Sequence, residues 1–165
     1  MVLPDLKNLP WCVLGVDPGK SGAVCRLGGG SFDVRRDFKV RGDIARAIRD
    51  LRQGVQFGVI EFVHSMPTDG IVGCFTFGRA AGEADGAMAL CLRGPTEEVS
   101  PQEWQQFYRR LLDLPKGDFE SRAVVPKVLP CALPFLGRAK DHNTGDAILI
   151  AAWKLFGLAQ QPGRL

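Results

Sequence analysis

The chain has 165 residues, 45% of them hydrophobic and 24% charged, with a formal net charge of +3. That composition suits one soluble domain with a sizeable core, and no apolar run approaches the roughly 20 residues that span a bilayer. Five cysteines (Cys12, Cys25, Cys74, Cys91 and Cys131), odd in number and without a CxxC spacing, argue against a disulfide frame or a zinc site and predict buried free thiols in a reducing compartment.

The N-terminal MVLPDLKNLPW has neither the charged and apolar regions of a secretory signal nor the Ser/Arg bias of a transit peptide. WCVLGVDPG (11–19) is an apolar run ending in Asp-Pro-Gly, a buried strand that breaks into a turn. SGAVCRLGGG predicts a second strand and SFDVRRDFKV a third, paired as a hairpin or meander. Residues 42–53 carry apolar side chains at 44, 45, 48 and 51, an amphipathic helix. QFGVIEFV (56–63) is another buried strand, residues 64–72 a loop, and 73–92 a helix. A short strand is expected in 95–100 and an amphipathic helix over 101–114. A short helix interrupted by Pro126 follows, and a last helix runs from about 144 to 158. No repeat or second domain is visible. The expectation is a single α/β domain over 1–165, core about 11–158, with a mixed sheet flanked by helices.

Three acidic positions stand out. Asp17 ends a strand that has no other polar residue, a usual place for a site in an open α/β sheet, although an aspartate also suits a turn. Glu61 is one acid inside the apolar GVIEFV. Burial of an unpaired carboxylate is costly, so it needs an arginine partner, a metal, or a raised pKa. The third is KDHNTGDAILIAAWKL, which crowds Asp141, His142 and Asp146 at the start of the last helix, with Asn143 or Thr144 as its N-cap. Attraction to the helix dipole accounts for one acid there and explains the rest less well. If that helix end points at Asp17 and Glu61, three or four carboxylates converge and need divalent metal to coexist. Oxygen donors without metal-spaced cysteines favour Mg2+ or Mn2+ over zinc, and paired ions are the usual apparatus for phosphodiester cleavage. Setting four such carboxylates aside from the 18 acidic residues leaves 14 against 21 basic ones, a surface suited to a polyanion.

Gly78, Gly82 and Gly86 recur every fourth residue in one helix. They imply close backbone approach, either on the protein's own sheet or against another helix across a two-fold axis. Arg35, Arg36, Lys39, Arg41, Arg109, Arg110, Arg138 and Lys140 supply a diffuse basic surface, and Lys116 is placed to touch a phosphate. His64, Met66, Phe75 and Phe77 are candidates to meet unstacked bases, with core packing the alternative for each phenylalanine.

Taken in order, GVDPGKSGAV, VIEFVHSMPTDG, FTFGRAAGEADGA and KDHNTGDAILIAAW resemble the RuvC-type Holliday junction resolvases of the RNase H-like superfamily. The last block looks closest to the plant chloroplast (monokaryotic chloroplast) branch. The resemblance covers most of 11–158. It implies a homodimeric Mg2+-dependent endonuclease with two ions per site, nicking two opposing strands of a four-way DNA junction. Asp17, Glu61 and Asp146 would be metal ligands, with Asp141, or else His142, as the fourth site residue. Lys116 would lie near the scissile phosphate, and the helix with Gly78, Gly82 and Gly86 would form the dimer interface. The resemblance also implies an organelle, the chloroplast ahead of the mitochondrion or a bacterial or phage cytoplasm. Asn143-Thr144-Gly145-Asp146 departs from the Gly-Arg-Ala-Glu of the chloroplast branch, and the loop 64–76 lacks its tryptophans. The rival readings are a non-catalytic branched-DNA-binding module and an actin-like or sugar-kinase-like ATPase, the latter because Asp-Pro-Gly-Lys-Ser-Gly after a strand also resembles a phosphate-binding turn.

Overall fold

The structure, a computed structural model, describes residues 3–19, 21–62, 70–117 and 119–160. Strands β1 (Cys12–Asp17), β2 (Ala23–Gly28) and β3 (Ser31–Arg36) form an antiparallel meander. Helix α1 (Asp43–Leu51) then leads to β4 (Phe57–Glu61), which lies parallel to β1. Helix α2 (Ile71–Cys91) precedes β5 (Thr96–Val99), parallel to β4, and the strand order across the sheet is β3-β2-β1-β4-β5. Helices α3 (Pro101–Leu111), α4 (Ser121–Val128) and α5 (His142–Ala159) complete the chain. The sequence places a helix start at 101 with Ser100, whose hydroxyl accepts the Glu103 N–H, and Pro101 in the first turn.

Strand pleating sorts the core into two layers. Val13 and Val59 join α3, α4 and α5 on one face, while Leu14, Val16 and Ile60 join α1 and α2 on the other. Gly15 points with Val13, and a Cβ there would stand 2.5 Å from the Ala147 carbonyl and 2.6 Å from the Ala151 nitrogen. The missing side chain is what lets α5 lie directly on β1. Tyr108 ties α3 to α5 by donating its hydroxyl to the Leu149 carbonyl at 2.7 Å. α1 is anchored to α2 by Glu83, whose carboxylate accepts the N–H groups of Gly42 (3.1 Å) and Ala45 (3.2 Å) at the helix start.

Several expectations need correcting. Pro126 does not interrupt α4, which runs on to Val128, and Leu129 closes its end by donating to the Val125 carbonyl at 2.7 Å. Burial of Val124, Val125 and Val128 outweighs the one donor that proline lacks. α5 begins at His142 rather than 144, because a short 3-10 turn (Ala139–Asp141) runs straight into it. His142 is therefore the first helical residue and Asp146 lies in the second turn. Cys12 and Cys25 are buried, whereas Cys74 and Cys91 are half-buried and Cys131 is exposed. Gly78, Gly82 and Gly86 do not pack on the protein's own sheet: a Cβ at each would meet nothing within 4 Å among the described residues. Phe75 is 70% exposed, not a core residue, while Phe77 is half-buried. His64 and Met66 lie outside the described residues.

Candidate active site at the carboxyl end of the sheet

Pleat and register alone bring two acids together. β1 and β4 run parallel with Val16 opposite Ile60. One residue further on, each strand ends in an acid, Asp17 and Glu61, both on the face that carries Val13 and Val59. That face is covered by α5, whose approach over Gly15 sets Asp146 one residue before Ala147, the contact point with β1. The close packing that a glycine permits thus delivers the third acid.

Each carboxylate is held by neutral donors. Asp17, 6% exposed, accepts the Gly19 N–H at 3.0 Å. Glu61 accepts the indole N–H of the fully buried Trp104 at 2.9 Å. Ser121 lies beside Asp146 and favours its charged form, while the Ser121 hydroxyl donates to the His142 carbonyl at 3.0 Å. None of the three makes an ion pair among the described residues. Their electrostatics follow. Burial first, then the charge of Asp146, pushes Asp17 up to about 7, against the Gly19 N–H and the charge of His142. Burial and then Asp17 push Glu61 up to about 7, opposed by the Trp104 bond. Burial and then Glu61 do the same to Asp146, also to about 7, with Ser121 opposing and Glu120 adding. These are three mutually repelling acids gathered at the end of the sheet, with no ion pair among the described residues.

Of the two candidates for a fourth member, the structure turns them in different directions. His142 is exposed at the first position of α5, and its charge acts on Asp17. Asp141 is 1% exposed and is occupied elsewhere. It accepts the Arg138 backbone N–H (2.7 Å) and Arg138 side chain (2.8 Å), and pairs with Arg36 at 3.0 Å. Burial alone would raise its carboxyl, but these guanidinium contacts prevail and hold it below its ordinary value. Asp141 therefore clamps β3 to the start of α5. The expected convergence has Asp141 as its fourth carboxylate; here that carboxylate is engaged by two arginines, which the sequence presents only as diffuse basic surface. Asp37 extends the clamp, pairing with Arg138 (2.7 Å) and Lys140 (2.6 Å). Lys116 is exposed in the loop between α3 and α4 and makes no ion pair among the described residues.

Trp104 and Ser121 escape sequence reasoning because each belongs to a segment distant in the chain. The only signal for Trp104 is a buried indole that requires an acceptor. Asn143 reaches the loop after β1 by donating to the Ser21 hydroxyl at 2.8 Å, fixing the helix start against the Asp-Pro-Gly turn. Among the described residues, no three His, Cys, Asp or Glu side chains already form a group close enough to hold a metal ion. The donor chemistry nonetheless fits a hard divalent cation, with three oxygen donors at raised pKa and no competing positive partner.

No family model matches the chain, and no curated protein does. Solved structures do match. RuvC of Thermus thermophilus in complex with a Holliday junction substrate is 15% identical, with a TM-score of 0.60, over 90% of this chain and 96% of that one. A second structure of T. thermophilus RuvC gives 16% identity and a TM-score of 0.56 over the same shares. The yeast mitochondrial Holliday junction resolvase Ydc2 gives 12% identity and a TM-score of 0.59, over 94% of this chain and 82% of that one. At these identities the likeness is one of architecture, and the chain has the mixed-sheet, RNase H-like fold that they share.

Proposed function

We propose that the protein is a Holliday junction resolvase, an endonuclease that makes paired, symmetric, Mg2+-dependent nicks in four-way DNA junctions. The observation that carries this is the trio Asp17, Glu61 and Asp146: the first buried and the other two half-buried, mutually raised to about 7, and without an ion pair among the described residues. The likeness to solved resolvases across nearly the whole chain adds support.

In this reading Asp17, Glu61 and Asp146 hold the metal. The chemistry supplied by two bound Mg2+ ions, for which Mn2+ substitutes, is activation of a water and stabilisation of the leaving 3′-oxygen. Asp17 is the shared ligand, since it couples to both Asp146 and Glu61. A bound cation would replace the repulsion among the three acids with attraction to itself. His142 is the fourth site residue, in preference to Asp141, because its charge acts on Asp17 while Asp141 is engaged by Arg36 and Arg138. Trp104 and Ser121 orient Glu61 and Asp146. Lys116, on its exposed loop, neutralises charge on the phosphate.

Two copies are needed for paired nicks, and α2 offers the face. Ile71, Val72, Phe75 and Leu90 are exposed large apolar side chains on this helix, and Gly78, Gly82 and Gly86 leave its surface open to another backbone. No helix among the described residues is long and apolar enough to cross a membrane. The compartment in this reading is an organelle, the chloroplast by the resemblance of the last block. The test is incubation with a mobile four-way junction and Mg2+, with nicks mapped on all four strands. Paired nicks on opposing strands support the reading; binding without nicking makes the chain a non-catalytic junction-binding module instead.

A further inference from the structure

Two clefts border the turn after β1, sharing Ser21 and Lys39, and they differ in how the rest of their positive charge is used. The smaller, about 140 Å3, is lined by Arg36, Arg138 and Lys140, all paired with Asp37 or Asp141, and by Lys39, which it shares with the larger. The larger, about 610 Å3, runs between the segment entering α1 and the middle of α2. Its cations are Lys39, Arg41 and Arg79, and none of them has an acidic partner among the described residues. Its one acid, Glu83, is bonded to the start of α1. Its apolar wall includes Phe38, Val40 and Ile44, the first two alternating with Lys39 and Arg41 in the segment that leads into α1. The volume lies in the ~300–1,000 Å3 range of ligand sites.

The groove also has a fixed relation to the acids. Gly19 lines its inner end, and the Gly19 N–H is the donor to Asp17. Ser21, which lines both clefts, is held by Asn143 of α5. Cations without acidic partners, an apolar wall and an edge at Gly19, whose N–H is bonded to Asp17, describe a seat for a polyanion with an apolar flank.

We propose that this groove seats the backbone of the cleaved DNA strand next to the bond that is cut. Lys39, Arg41 and Arg79 contact the adjoining phosphates, and the sugar between them lies on the wall formed by Phe38, Val40 and Ile44. The inference rests on the nuclease reading and deepens it by assigning a subsite.

The experiment uses Asp17→Asn chain, which holds the junction uncut, and measures junction affinity against salt concentration. Adding Lys39→Ala, Arg41→Ala and Arg79→Ala lowers the slope of log affinity against log salt by about two to three, with about one for Arg41→Ala or Arg79→Ala alone. Arg52→Ala with Arg93→Ala, in the cleft at the other end of α1, leaves it unchanged. Junctions carrying one neutral methylphosphonate linkage at a time then locate the contact. One or two linkages next to the nick cost the Asp17→Asn chain about tenfold in affinity, and that cost disappears in the groove variants. An unchanged slope, or the same methylphosphonate cost with and without the three cations, overturns the subsite. A wild-type chain that neither binds nor nicks a junction overturns the nuclease reading itself, which is a separate result.

Discussion

Asp17→Asn is expected to make the metal-free protein more stable while abolishing its activity. Asparagine keeps the size of the side chain and an oxygen for the Gly19 N–H, but it carries no charge. The Asp17 carboxyl is raised from 3.8 to about 7 by burial and by Asp146. A raised carboxyl pKa means that the folded state binds the proton more tightly than the unfolded one. The ionised group thus contributes nothing unfavourable below pH 3.8, and its cost grows through the window between 3.8 and about 7. Above pH 7 the cost reaches about 4 kcal/mol at 1.36 kcal/mol per unit, and about half of that is present at pH 5.5. Relaxation of the site reduces these figures, and a gain of about 2 kcal/mol at pH 8 already shifts the melting point by roughly 4–8 °C for a chain of this size. The assay is thermal or urea unfolding of both proteins in EDTA at pH 4, 5.5 and 8. The variant's advantage should be largest at pH 8 and shrink towards pH 4, and Mg2+ should stabilise the wild type more than the variant. An Asp17→Asn protein that is no more stable at pH 8, or whose advantage is independent of pH, would refute the account of three repelling acids.

Trp104→Phe removes the donor to Glu61. Nicking should slow by about tenfold, the value of one charged hydrogen bond, and the half-saturating Mg2+ concentration should rise. Because that bond lowers the Glu61 pKa, the acid limb of the pH–rate profile should move to higher pH. Asp141→Ala leaves Arg36 and Arg138 without their buried partner and should cost about 2–4 kcal/mol of stability, with nicking per folded molecule largely retained. His142→Ala should do the reverse, leaving the melting point almost unchanged and lowering the rate; paired melting and nicking assays separate the two. Gly82→Ala should add up to about 1 kcal/mol to helix α2, since nothing stands within 4 Å. Gly82→Trp should leave the monomer folded but shift sedimentation from dimer to monomer.

The fold was legible wherever one periodicity dominates. WCVLGVDPG and QFGVIEFV are short apolar runs with a breaker or an acid at the end, and they became β1 and β4, which lie side by side with Asp17 and Glu61 at the same end. The pairing of those two acids follows from strand parity once the register is known, but register is a tertiary fact that the sequence does not print. The start of α5 was less legible. DHNTGD offers Asn143 or Thr144 as the cap, yet Asp141 stands at the N-cap position and its side chain caps nothing there, because Arg36 of β3 and Arg138 engage it. A local reading weighs caps and dipoles and has no means of knowing that a guanidinium from another strand arrives at the same carboxylate. The glycine stripe left two possibilities equally open, and only the placement of α2, with Ala84, Ala87 and Met88 turned inward, puts Gly78, Gly82 and Gly86 on the outside.

The central claim is that Asp17, Glu61 and Asp146 cut opposing strands of a four-way junction with Mg2+. The most direct measurement is nick mapping on all four strands of a mobile junction, with the wild type and Asp17→Asn, in Mg2+ and in EDTA. The account predicts symmetric nicks on two opposing strands by the wild type in Mg2+ only, and junction binding without nicks by Asp17→Asn. Nicking that persists in Asp17→Asn, or that proceeds equally well in EDTA, would contradict it.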